Sequence, residues 1–313
     1  MTERTGGFLF TTIASILWGT VFAAVGVGLK YTNPYNLVFL RFLTASIFAL
    51  FFALILGKLR SVVTELRCGS TWVLGGVYAL GFVLQYLGQS MTDASEAVLL
   101  SNLAPILVPI VALLILRDAV TLVQKGATVL GLLGLLLIVS PKFTSGSGYL
   151  GDFMLVASSV TYAIFIVLSK RLGTVSVESA LSMIVSITVF LTPLAMLLGG
   201  FNPLVLRLGA EGWLSVLYIG IVCSVVAIAL YLQGLRSISA SQSATLLFVE
   251  LLTGLLLAAT LLGESLSLSE VTGILAILAA MGLSALDGRS KEVVLAVTSR
   301  TMNHLTGHNV AEN

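Results

Sequence analysis

Charged side chains make up only 10% of the 313 residues, where a soluble globular domain carries roughly 25%. So few charges, beside 58% hydrophobic residues and a mean hydropathy of +1.08, cannot cover a water-facing surface, and the chain reads as an integral membrane protein. Histidine is almost missing. His304 and His308 both lie in the polar C-terminal tail, which removes the commonest catalytic base and metal ligand from the apolar part of the chain. Cysteine is equally scarce: Cys68 in a loop and Cys223 in an apolar run make neither a disulfide framework nor a metal cluster. An intramembrane enzyme would lack its nucleophile and base, because there is no H-E-x-x-H and no paired aspartate. ATP-driven pumping by this chain would lack its phosphate cradle, because no G-x-x-x-x-G-K-[ST] occurs, and no cofactor is implied. A net charge of +2, with basic residues spread through loops, implies no nucleic-acid partner.

What remains is a succession of apolar runs: residues 8–29, 35–56, 71–90, 94–116, 121–139, 149–169, 179–199, 213–235, 241–262 and 270–286. Each suits a membrane-spanning helix of about 20 residues, so the expected fold is all-α with ten transmembrane helices. The first run is longer than a signal-peptide core and is read as a retained span. Pro141–Gly148 is read as the linker between two halves of five spans. Twelve loop lysines and arginines, from Arg4 to Arg300, fall on the N-terminal side, against Lys30, Lys142 and Arg207 opposite. This imbalance predicts a multi-pass protein of the cytoplasmic membrane with both termini in the cytoplasm. The tail after Asp287 is read as a cytoplasmic, mostly disordered end.

The two halves resemble one another. A shift of 146 lays Asp93–Asp118 on Ser239–Glu264 without a gap, matching Ala94 to Ala240, Ser95 to Ser241, Leu100 to Leu246, Ala112 to Ala258 and Leu116 to Leu262. Both copies open with a capping-box spacing, Asp93-x-x-Glu96 and Ser239-x-x-Gln242, and both close on an acid. A repeat of five spans enters the membrane from the opposite side on its second pass, so the expected domains are a first five-helix repeat at 1–142, an inverted repeat at 148–287 and a tail at 288–313. Gly126, Gly131, Gly134, Gly273 and Gly282 are expected at close helix contacts. Pro105, Pro109 and Pro193 are expected to bend their helices.

Within the spans, away from helix ends, full charges fall only at Arg41 and Glu250. An ionisable group at that depth costs about 2.5 to 3.5 kcal/mol, so it is either functional or held by a structural partner. Both are assigned to coupling or gating: Glu250 through its own protonation, Arg41 through an outer salt bridge to Asp93 or Glu96. A substrate-binding lining is assigned to Trp18, Tyr78, Gln85, Tyr86, Asn102, Tyr162, Tyr231 and Gln233, aromatic and amide groups suited to stacking on and hydrogen-bonding a small amphipathic metabolite such as an amino acid.

Ser15-Ile-Leu-Trp18-Gly19, Leu40-Arg41-Phe42, Asn102-Leu-Ala-Pro105 and the segments Val249-Glu250-Leu251 and Leu262-Gly263-Glu264 resemble the drug/metabolite transporter superfamily, specifically its EamA-type ten-helix members, over about residues 8 to 286. The resemblance implies a secondary transporter, an exporter of small metabolites by alternating access, with the lipid bilayer and a small-molecule substrate as partners. A lipid-handling or structural membrane protein stands as the alternative, and an intramembrane enzyme behind it. Leucine follows Glu250 where relatives carry proline, and Asp118 stands for a more usual glutamate.

Overall fold

The computed structural model describes residues 3–116, 121–145, 149–172, 176–201 and 208–283, apart from 236, 238–245, 247, 262–266, 270 and 281. Among them there is no β-strand. Six helical stretches are long and apolar enough to cross a membrane: Thr5–Gly28, Pro34–Ile55, Gly69–Gln89, Tyr149–Ser169, Val177–Leu197 and Gly209–Tyr231. Shorter apolar helices cover Glu96–Val108, Val249–Ala258 and Val271–Ala280.

In chain order, α1 (Glu3–Gly19) and α2 (Val21–Gly28) form the first rod, with Ala24 N bonded to Thr20 O across their junction. Helix α3 (Pro34–Ile55) starts at Asn33, whose side chain accepts the Asn36 N–H at 2.9 Å, with Pro34 in the first turn where its missing N–H costs nothing. It ends at Gly57, whose φ of +67° lets Lys58 N reach back to Ala53 O. A short helix, α4 (Leu59–Glu65), then buries Val62 in a stretch that reads as plain loop in the sequence. Next come α5 (Gly69–Gln89), α6 (Ala94–Ser101), α7 (Ala104–Leu116) and α8 (Leu122–Ser145). The second half holds α9 (Tyr149–Leu172), α10 (Val177–Leu197), α11 (Gly209–Leu217), a π-helical stretch at Tyr218–Val226, α12 (Ala227–Leu235), α13 (Phe248–Leu261) and α14 (Val271–Ala280).

Several expectations change here. The fourth run is two helices, broken at Asn102–Leu103. Pro105 has no N–H to give Ser101 O, so the ladder cannot continue unbroken. Helix α10 runs through Pro193 without a break, and α8 runs through Pro141 to Ser145, overlapping the expected linker. A proline deletes one donor without ending a membrane helix where neighbouring groups take up the freed carbonyl. Asp93 is the residue before α6, yet its side chain makes no capping hydrogen bond, so the capping box is absent there; Ser239 and Gln242 lie outside the described residues. The same is true of Asp118, Glu264 and the tail.

Small residues set which helices touch. A Cβ on Gly134 would meet Gly273 O at 2.7 Å, and one on Gly131 would meet Ile106, so these glycines do bring α8 against α14 and α7. Gly126 and Gly282 face open space, and their expected contacts do not occur. The most intimate approaches pair the two halves. Gly88 of α5 lies against Gly151 and Leu155 of α9, and Gly234 of α12 lies against Gly7 and Thr11 of α1. These glycines stand 234 − 88 = 146 residues apart, so the register of the sequence repeat recurs in the packing. Helices α3 and α10, which correspond under that shift, pack on each other through Ser46 to Thr188 (2.7 Å) and Thr188 to Phe42 O (2.7 Å). At one end of that pair Lys58 meets Glu178 at 2.6 Å.

Candidate functional site

Helices of both halves enclose a cavity of about 290 Å³, at the low end of ligand-pocket size. Of the ten residues singled out in the sequence, eight line it: Trp18, Arg41, Tyr78, Gln85, Asn102, Tyr162, Tyr231 and Glu250. Tyr86 is not part of the lining: it is fully buried and accepts a hydrogen bond from Arg41, which is. Gln233 is exposed and takes no part. It sits two residues from Tyr231, about 200° round a helix of 3.6 residues per turn, so the two cannot face the same space.

On α5, Tyr78, Phe82 and Gln85 follow one another at the spacing of a single helix face and form one wall. Opposite, α9 presents Tyr162 and Phe165. Tyr78 stacks on Phe165 with centroids 4.2 Å apart and planes 7° from parallel, and Tyr162 donates to Gln85 Oε1 at 2.6 Å. The other pair of matching helices repeats the arrangement: Trp18 of α1 lies against Tyr231 of α12 at 5.1 Å. Trp18 Nε1 donates to Cys223 O at 3.0 Å, inside the π-helical stretch. In the same stretch Ser224 donates to Ile219 O, five residues back.

Arg41 does not reach the outer acids. Its guanidinium, 4% exposed, turns into the bundle, where Nε donates to Ser224 Oγ at 2.9 Å and Nη1 to Tyr86 at 3.1 Å. Phe82 and Phe42 lie 4.8 and 5.3 Å from it, within cation–π range. The expected salt bridge with Asp93 or Glu96 is therefore replaced by hydroxyls and ring faces. Position along a helix fixes where the Cα atom lies, whereas an arginine side chain spans more than a helical turn and takes the partner that is desolvated with it.

Glu250 stands in the first turn of α13, partly buried, and the Asn102 side chain at the break between α6 and α7 forms a hydrogen-bond interaction with its carboxyl. Close approach makes this contact: a Cβ on Gly19 would meet Glu250 O at 2.6 Å, and one on Gly254 would meet Val98 at 2.8 Å. Residue 250 lies by 102 and 254 by 98, so α6 and α13 run antiparallel. Ser101 adds a buried hydroxyl that lines the cavity and makes no hydrogen bond among the described residues. Ser101, Phe82 and Phe165 escape sequence reasoning, because a serine or phenylalanine in an apolar run looks like ordinary packing.

An all-helical bundle whose two halves share one aromatic cavity, with a carboxyl and a guanidinium on its wall, is the build of a multi-pass membrane transporter. The profile of the EamA-like transporter family matches residues 5–140 and again 149–286, and the chain belongs to that family. It is 28% identical over 251 residues to an uncharacterized transporter of Archaeoglobus fulgidus, covering 77% of this chain and 84% of that one. It is 24% identical over 270 residues to the uncharacterized transporter YdfC of Bacillus subtilis, covering 82% and 83%. A solved crystal structure shares the fold with a TM-score of 0.65 at 20% identity, over 92% of this chain and 99% of that one.

Proposed function

We propose that this chain is a secondary transporter that exports small amphipathic metabolites such as amino acids from the cytoplasm by alternating access. The observation that carries the reading is the cavity shared by both halves, in which rings, amides, Arg41 and Glu250 converge. The two family matches and the antiparallel contact of α6 with α13 support two inverted five-helix repeats, at 1–142 and 148–287, with ten crossings and a cytoplasmic tail from 288. The charge imbalance of the loops supports cytoplasmic termini in the cytoplasmic membrane; a cysteine at position 33 labels from outside intact cells and one at position 61 does not.

Glu250 is the coupling group: facing each side in turn, it binds a proton on one and releases it on the other. Uptake of an amino-acid panel into proteoliposomes, with and without a pH gradient, tests this. The Glu250→Gln variant keeps size and hydrogen bonding but cannot ionise. It is expected to insert correctly, to retain substrate exchange and to lose gradient-driven flux. Parental flux with an unchanged pH dependence would return Glu250 to the scaffold.

A further inference from the structure

One helical turn beyond the central cavity along α5 lies a second pocket, of about 390 Å³, lined by Gly26, Lys30, Asn33, Gln89, Asp93 and Ala94 among others. Gln85 faces the central cavity and Gln89 faces this one; four residues separate them, about 6 Å along a helix. Gln89 also joins the two walls, since its Nε2 donates at 2.6 Å to the carbonyl of Phe22, a central-cavity residue.

The polar groups of this pocket are complementary to a ligand. Gln89 is 5% exposed, and its Oε1 is buried without a hydrogen-bond donor among the described residues. The orientation of the amide is fixed, because its other end must be the N–H that meets the Phe22 carbonyl. Lys30 and Asp93 bring opposite charges to the same pocket, and they form no salt bridge with each other: the bridge found among the described residues is Lys58 with Glu178. The side chain of Asp93, although the residue precedes α6, makes no capping hydrogen bond to that helix. A buried acceptor, a free carboxylate and a free ammonium lining one pocket are the complement of a molecule that carries its own N–H donors, cation and anion. Leu29, Pro34 and Ala94 supply an apolar side for the remainder of such a molecule.

We propose that this pocket is a second binding site, for a zwitterion of the α-amino-acid type. The ligand's carboxylate pairs with Lys30, and its ammonium is shared between Asp93 and Gln89 Oε1. The proposal deepens the transport reading, on which it rests for its purpose: the pocket is a staging site from which a zwitterion passes, or into which it is delivered, one turn from the central cavity. Its chemistry does not require the central site.

Equilibrium binding to the purified full-length protein in detergent micelles tests it, with leucine, leucine methyl ester and 4-methylpentanoate as probes: zwitterion, cation alone and anion alone. Leucine is expected to bind about tenfold or more tightly than either single-charge analogue, and Lys30→Gln, Asp93→Asn and Gln89→Leu each to weaken leucine binding by a similar factor. None of these residues lines the central cavity, so the binding component they remove belongs to this pocket and any component left is the central one. The double exchange Lys30→Asp with Asp93→Lys restores the charge pair in reverse and is expected to recover affinity to within about threefold of the parent. Equal affinity for the three probes, single variants that bind as the parent does, or a folded double exchange with no recovery would each overturn the site. Amino-acid flux that fails while this binding persists would count against the transport reading alone.

Discussion

The environment of Arg41 makes a quantitative prediction. Removing the guanidinium by itself is uninformative, because a buried cation replaced by an apolar side chain regains its desolvation cost while losing its partners. A double-mutant cycle between Arg41→Met and Tyr86→Phe isolates the contact at 3.1 Å. Neutral hydrogen bonds between membrane helices average about 0.6 kcal/mol, and a charged donor roughly doubles that, so the expected coupling is about 1 to 2 kcal/mol. The cycle with Ser224→Ala, across the 2.9 Å contact, is expected to give a coupling of similar size. The assay is unfolding of the purified protein by titration from a mild detergent into a denaturing one, followed by circular dichroism. Within the same experiment, Arg41→Met with Glu96→Gln should be additive. Additivity within about 0.5 kcal/mol for Tyr86 would refute the placement of Arg41, and strong coupling to Glu96 would restore the outer salt bridge.

Two further outcomes follow from local geometry. Gly19→Ala places a methyl group 2.6 Å from Glu250 O and is expected to cost about 1 to 3 kcal/mol in the same unfolding assay, whereas Gly126→Ala meets nothing and should stay within about 0.5 kcal/mol of the parent. Outside the spans, Tyr31 donates to Glu211, and that hydrogen bond raises the phenol above its usual value of 10.0. The contact is therefore present below the unfolded pKa and lost as pH rises through the folded one. Tyr31→Phe should remove a component of the tyrosinate absorbance that titrates above 10.0, and loss of a component at or below 10.0 would contradict it.

Hydropathy made the six long spans legible because burial in lipid imposes an apolar composition on any helix, whatever it packs against. The cavity was partly legible for the converse reason. Trp18, Tyr78, Gln85 and Glu250 are costly in an apolar run, so their presence carries information, and the structure brings them together. Phe82 and Phe165 are the residues lipid-facing helices also use, and only the third dimension distinguishes a cavity wall from a packed surface. The π-helical stretch Tyr218–Val226 has no compositional mark at all, since its side chains would suit an α-helix equally well. Gln233 shows the opposite error: its polarity was visible, but the face it occupies depends on helical phase, and two residues beyond Tyr231 turn it about 200° away.

The packing repeats under the 146-residue shift, but the polar groups do not, and the difference bears on mechanism. Position 104, the counterpart of Glu250, is alanine, and position 187, the counterpart of Arg41, is isoleucine; Gln85 answers to Tyr231. Ala104 and Glu250 both line the cavity, so the alanine occupies the place where a symmetric site would carry a second acid. Two carboxyls across one small cavity would oppose each other's ionisation. One acid and one guanidinium, held on different helices, instead give a symmetric skeleton a cavity with a polar direction. Such a site can orient a molecule whose ends differ, while the close contacts at Gly88 and at Gly234 recur in the two halves. On the transport reading, a single carboxyl also gives a single proton site per cycle, which is why Glu250→Gln is expected to abolish coupling outright and not to halve it.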